Sequence, residues 1–208
     1  MLSQHDKVFI VIGFPKCGTS SLQIYFKDSG KIAYHNTIKG EYIGELIFNA
    51  KKKKKPLLSY IQKCDALTQI DCNASRTTLF YYPQLSDVPI IEQQYPNCKF
   101  ILNVRNSIDW VKSISYWGKL KKNYIEHYLP AGVGKNNIHL ISWYKRHKRH
   151  MMNYFRNKPE KLLIYDIDKD KVDKLNQFCG YDKVTKFPHL NQKHTHVKRR
   201  IKKSVFVY

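Results

Sequence analysis

Acidic residues are scarce in this chain. Its 208 residues hold 16 Asp and Glu against 37 Lys and Arg, a formal net charge of +21. Such a field draws anions: nucleotides, nucleic acid, sulfated or phosphorylated polymers, acidic membrane surfaces. Lys, Asn, Ile and Tyr are abundant together, as in chains from AT-rich genomes, so codon bias is the plainer alternative reading of part of the charge. Paired cysteine motifs are missing too. Cys17, Cys64, Cys72, Cys98 and Cys179 are odd in number, widely spaced and include no C-x-x-C. That argues against a disulfide framework or a zinc ribbon and for a reducing compartment. No stretch reaches the ~18 consecutive apolar residues of a membrane helix. The opening MLSQHDKVFIVIGF has no basic leader region, so the expectation is a cytoplasmic chain without a secretory signal. There is no internal repeat.

What is present suffices for a core. Hydrophobic residues make up 42% and aromatic residues 13%. At roughly 150 residues per domain the length predicts one domain over 1–208, with a basic C-terminal segment from about 181. Lys7–Ile12 (KVFIVI) reads as a buried strand and Gly13–Gly18 (GFPKCG) as a loop. Thr19–Lys27 follows as a helix with Leu22 and Phe26 on one face. Further strands are predicted at Lys31–His35, at Ala66–Ile70 before Asp71, at Lys99–Val104, and at Lys161–Tyr165 before Asp166. Helices are predicted at Glu41–Ala50, Ile90–Tyr95, Ile108–Tyr116, Ile138–Phe155 and Val172–Cys179, the last closed by Gly180. Strands alternating with helices predict an α/β fold of three layers, a mostly parallel central sheet with helices on both faces. The five-lysine run Lys51–Lys55 reads as a solvated helix end or loop, with a polyanion patch as its functional alternative.

The chemistry concentrates in the first loop. Gly13-x-x-x-x-Gly18 has the glycine spacing of a P-loop, at the mouth of a helix where backbone N–H groups cradle an anion. A nucleoside-triphosphate P-loop places Lys directly after the second glycine. Here Thr19 stands there and the lysine comes earlier, at Lys16. That argues against Mg²⁺-dependent ATP chemistry, although a degenerate P-loop kinase or NTPase stays open.

Pro15-Lys16-Cys17-Gly18-Thr19-Ser20-Ser21-Leu22 resembles the phosphosulfate-binding loop of the PAPS-dependent sulfotransferases, which likewise follows the first strand. In that family an arginine ends a later strand and a serine follows eight residues on. Arg105, after KFILNV, and Ser113 match that pair, with Ser107 standing where many members have proline. The stretch YPNCKFILNVRNSIDWVKS, the Tyr34-His35 pair, Asp71, and Phe187-Pro188-His189-Leu190-Asn191 extend the resemblance along most of the chain.

The resemblance implies a P-loop-like fold and transfer of a sulfuryl group from 3′-phosphoadenosine 5′-phosphosulfate (PAPS) to an acceptor hydroxyl or amine. No metal is implied. Pro15, Lys16, Cys17, Gly18, Thr19, Ser20 and Ser21 would hold the phosphosulfate, with Lys16 steadying the bridging oxygen as it leaves. Arg105 and Ser113 would hold the 3′-phosphate, a role suited to a planar guanidinium and a hydroxyl donor. Lys198 and Arg199, in the basic tail, are candidates to fold over the nucleotide. The acceptor proton needs a base, and His35 and Asp71 are the candidates. Each position also has a plainer reading. Thr19 and Ser20 are natural first-turn residues, Asp71 a helix cap, Arg105 a partner for Asp109, and His147 and His150 surface residues. Cys17 has no base partner in the sequence and is not read as a nucleophile. The charge leans toward an anionic polymer or acidic peptide as acceptor, and a non-enzymatic nucleic-acid binder is the remaining alternative.

Overall fold

The computed structural model describes residues 1–73, 79–128, 136–188 and 190. The apolar run after Lys7 forms β1 (Phe9–Val11), and the loop leads into α1 (Thr19–Asp28). Next come β2 (Ala33–Tyr34) and a small hairpin of β3 (Thr37–Ile38) and β4 (Glu41–Tyr42). The helix expected from Glu41 therefore begins later, as α2 (Ile43–Lys52). The reason is local: Lys39 and Gly40 both take positive φ (50° and 88°), the two-residue hairpin turn that pairs Ile38 with Glu41.

The chain continues through β5 (Ala66–Leu67), a second hairpin of β6 (Cys72–Asn73) and β7 (Phe80–Tyr81), α3 (Pro83–Ser86) and α4 (Val88–Gln94). Then follow β8 (Lys99–Val104), α5 (Ser107–Ser115), and α6 (Leu120–Asn123), which runs into a π-helical turn at Tyr124–Tyr128. The long α7 (Asn137–Tyr154), β9 (Leu162–Asp166) and α8 (Val172–Cys179) complete it, with Gly180 at φ 73° ending the last helix. Lys51 and Lys52 belong to the end of α2, and Lys51 pairs with the buried Asp87 at 2.5 Å.

The central sheet has five parallel strands in the order β2-β5-β1-β8-β9. Alternation along β1 divides the core. Val8, Ile10 and Ile12 face a layer built from α2, α4 and the end of α7, with Ile47, Ile91 and Phe155 buried there. Phe9 and Val11 face α1 and α8, against Leu22, Phe26 and Leu175. This is the expected three-layer α/β fold. Ile10 is fully buried, and its truncation to alanine would cost about 2–5 kcal/mol. Among the described residues no helix is long and apolar enough to cross a membrane.

The topology also fixes where a ligand can sit. From β1 the chain first builds one side of the sheet, β2 and β5, then returns past β1 to build β8 and β9. The carboxyl ends of β1 and β8 flank this reversal, the crevice where open parallel sheets bind ligands. The loop 13–18 and Arg105 both leave the sheet there.

Candidate active site

Buried side chains hold the loop from beneath. Asn103, fully buried on β8, accepts the Gly13 N–H through Oδ1 at 3.0 Å and donates through Nδ2 to the Cys17 carbonyl at 2.6 Å. One amide thus spans the loop. A Cβ at Gly13 would lie 2.1 Å from Asn103 Oδ1, so only glycine lets the two strands approach this closely. Phe14 sinks among Trp110, Trp143 and Tyr144, with ring centroids 4.6–5.6 Å away. The Trp110 indole N–H donates to the Pro15 carbonyl at 3.1 Å, making it a core residue that also braces the loop.

With Phe14 and Cys17 turned inward, the backbone curls outward at two left-handed residues, Lys16 (φ 69°) and Gly18 (φ 81°). Gly18 is the N-cap of α1 and no side chain among the described residues caps that helix, which leaves its first-turn amides facing the loop. Thr19 and Ser20 have other partners. Thr19 Oγ1 donates to Gln69 Oε1 at 3.3 Å, and Ser20 Oγ lies 3.2 Å from His35 Nε2. Ser21 Oγ accepts the Leu190 N–H at 3.0 Å, which brings the Phe187–Pro188 segment back against α1, with the Phe187 ring tilted against Tyr165 at a centroid distance of 5.2 Å.

Lys16 is unusual for a non-glycine residue in holding a left-handed backbone, a conformation costing about 1 kcal/mol. Arg105 fixes it: Nη1 donates to the Lys16 carbonyl at 3.2 Å. The Lys16 ammonium then lies over the Trp117 ring, 3.5 Å from its centroid. Burial lowers its pKa to about 8, and the Arg105 charge pushes in the same direction. Cys17 is fully buried, 3.6 Å from the Tyr144 hydroxyl, and burial pushes its thiol up to about 12, so it is no nucleophile.

Arg105 is itself held on several sides. Its N–H donates to the Tyr144 hydroxyl at 2.9 Å, and that hydroxyl donates back to the Arg105 carbonyl at 3.2 Å. Nη2 lies 3.6 Å from Asp168 Oδ1. The pairing considered with Asp109 does not occur; Asp109 pairs with Lys112 at 3.3 Å. Nε is buried with no partner among the described residues. Ser113 is half-buried on α5. Lys198 and Arg199 lie outside the described residues.

The two candidate bases differ in access. His35, half-buried after β2, holds Ser20 through Nε2 and Thr68 Oγ1 through Nδ1, both at 3.2 Å. Burial lowers its pKa to about 4, helped by Lys27, so the ring is neutral at pH 7. Asp71 is 1% exposed and caps no helix among the described residues. Gln69 Nε2 donates to its Oδ1 at 3.0 Å and Gln84 Nε2 to its Oδ2 at 3.2 Å, yet burial still raises its pKa to about 6. Gln69 thereby joins Thr19, the first residue of α1, to Asp71. His147 is not a surface residue. It is buried, with Nε2 2.7 Å from the Ile12 carbonyl, where β1 gives way to the loop, while His150 is exposed.

Asn103, Tyr144, Gln69, Trp117 and Asp168 are site residues that motif reading passes over. Only Asn103 leaves a sequence signal, as the one polar residue inside the apolar run FILNV. The others are joined to the loop by tertiary structure alone.

No curated protein matches this chain. The sulfotransferase domain family does, over residues 8–131, from β1 through the loop, β8 and α5. That match takes in Lys16 and Arg105 with the strands that carry them and spans more than half of the 208 residues, so the chain belongs to the sulfotransferase domain family.

Proposed function

We propose that the protein is a PAPS-dependent sulfotransferase whose acceptor is a hydroxyl or amine. The observation that carries this reading is the bond from Arg105 Nη1 to the Lys16 carbonyl, which joins the loop after β1 and the arginine after β8 into one anion-binding crevice. Its chemistry fits a nucleotide bearing two separated anionic groups: helix amides that no side chain caps among the described residues and an ammonium on one side, a guanidinium whose buried Nε has no partner among the described residues on the other.

PAPS, when bound, supplies a sulfuryl group already activated by its phosphate leaving group. The first-turn amides of α1 and the Lys16 ammonium would stabilise negative charge on that leaving group. Arg105 and Ser113 would take the 3′-phosphate, orienting the nucleotide. His35 is the better-supported base. Its ring is neutral and only half-buried at the end of β2, whereas Asp71 is 1% exposed and closed off in the interior. Asp71 then acts on the loop through Gln69 and Thr19. The net charge of +21 favours an anionic acceptor, such as an acidic polymer or peptide.

The test is a thermal-shift titration with 3′-phosphoadenosine 5′-phosphate, Mg²⁺–ATP and AMP at moderate salt, followed by transfer of labelled sulfate from PAPS to candidate acceptors. Selective stabilisation by the 3′-phosphorylated nucleotide, lost in Arg105→Ala, is the expected result. Equal or greater stabilisation by Mg²⁺–ATP would overturn the reading in favour of a kinase-like protein.

A further inference from the structure

The turn after β9 forms a third wall of the crevice. Asp166 Oδ1 accepts the Asp168 N–H at 3.1 Å, and the Asp166 N–H donates to Asp170 Oδ2 at 2.8 Å. The Ile167 N–H reaches back to the Val104 carbonyl at 2.9 Å. This fixed turn brings the Ile167 side chain against Gly18, where a Cβ would stand 3.1 Å from Ile167 Cγ2. It also sets Asp168 Oδ1 3.6 Å from Arg105 Nη2. In a chain with 16 acidic residues against 37 basic ones, one of the few carboxylates faces the arginine of the anion site. Its charge is felt at Cys17 in the middle of the loop, where it opposes ionisation of the thiol.

We infer that Asp168 tunes nucleotide affinity through Arg105: its carboxylate competes with the nucleotide's phosphate for the guanidinium fork. The inference rests on the reading of Arg105 as the 3′-phosphate ligand. The guanidinium has five N–H donors in a fixed fork. Nη1 is taken by the Lys16 carbonyl and Nη2 faces Asp168. A phosphate that engages the same fork shares it with a carboxylate of like charge, and their repulsion lowers affinity and speeds release. Neutralising the carboxylate removes the repulsion, whereas a merely structural Asp168 would, on substitution, loosen Arg105 and weaken binding. The two roles therefore predict opposite signs.

Calorimetric titration of the full chain with 3′-phosphoadenosine 5′-phosphate and with AMP separates them, using wild type, Asp168→Asn, Asp168→Ser and Arg105→Ala. Stopped-flow displacement gives the dissociation rates. The expected result is roughly tenfold tighter binding and slower release of the 3′-phosphorylated nucleotide in Asp168→Asn, with AMP affinity unchanged. Asp168→Ser should move the same way by a smaller factor and serves if the asparagine variant folds poorly. If wild type binds the nucleotide, Arg105→Ala loses it, and neither Asp168 variant binds more tightly, the inference is overturned while the cofactor reading stands. If none of the four proteins binds the nucleotide, both fall.

Discussion

The ammonium of Lys16 rests on the face of Trp117, 3.5 Å from the ring centroid, at the rim of the glycine loop. A left-handed backbone aims the lysine outward and the indole after α5 receives it, so the position of this charge is set from both sides. Cation–π contacts of this kind contribute about 0.5–2 kcal/mol. Trp117→Phe keeps a ring and should retain most of the sulfotransfer rate. Trp117→Leu should lower kcat roughly tenfold with KM for PAPS little changed, and Lys16→Ala should abolish turnover. Steady-state kinetics of the three variants checks the ordering; wild-type rates in Lys16→Ala would remove the lysine from the chemistry.

The lowered pKa of Lys16, about 8, predicts an alkaline limb. Below pH 8 the side chain is an ammonium that can stabilise a leaving phosphate; above it the charge is lost, so kcat should fall as pH rises through about 8. His35, with a pKa near 4, must be neutral to accept a proton, so the acid limb should lie near pH 4. The expected profile is a plateau from about pH 5 to 7.5. Lys16→Arg, charged throughout this range, should lose the alkaline limb while keeping the acid one.

Asp71 makes a prediction about stability. Its folded pKa, about 6, lies above the ordinary aspartate value of 3.8, so the folded state binds the extra proton between those values. Its contribution is favourable at low pH and is lost as pH rises through about 6, with a penalty of up to about 3 kcal/mol above that. Asp71→Asn should therefore gain stability relative to wild type as pH rises from 4 to 7. Taking the difference between the two proteins cancels the opposite trends of His35 and His147, whose pKa values are lowered to about 4. Urea denaturation at each pH reads it, and a difference independent of pH would mean that Asp71 is not buried as a charge.

Asn103 is both a core residue and a clasp on the loop. Asn103→Leu leaves the Gly13 N–H and the Cys17 carbonyl without partners and should cost about 2–5 kcal/mol. Tyr144→Phe deletes only the hydroxyl between the Arg105 N–H and carbonyl, and should cost about 1–3 kcal/mol. Both should weaken binding of 3′-phosphoadenosine 5′-phosphate by more than a core truncation of comparable cost such as Ile91→Ala in the layer of α4. Chemical denaturation paired with calorimetric titration separates the two effects.

Periodicity carried most of the fold. The runs KVFIVI, KFILNV and KLLIY became β1, β8 and β9: short apolar stretches suit strands of a covered parallel sheet, with β1 buried throughout and β9, at the end of the strand order, buried at alternate residues. Short elements escaped. β6, β7 and the β3–β4 hairpin are two residues long in each strand and carry no period to read. Lys16 and Gly18 were legible because a glycine loop between strand and helix constrains its neighbours through local geometry, whereas Arg105 was legible only through its resemblance to the strand-end arginine of the sulfotransferases. Asp168 and Tyr144 were not, since their link to Arg105 exists only once β9 and α7 pack beside β8. His147 read as a surface residue because the basic residues beside it on α7 mask its buried face.

The strand order has a kinetic consequence. The crevice draws on Lys16, Asn103, Tyr144 and Asp168, residues scattered over three quarters of the sequence, and parallel pairing leaves each contact to a long crossover. Loop-closure entropy must be met before any of these contacts forms, so the anion site should be among the last parts of the chain to mature during folding. Nucleotide binding would then report completion of the whole sheet, and a fragment ending at α5 would carry the glycine loop and Arg105 without a site.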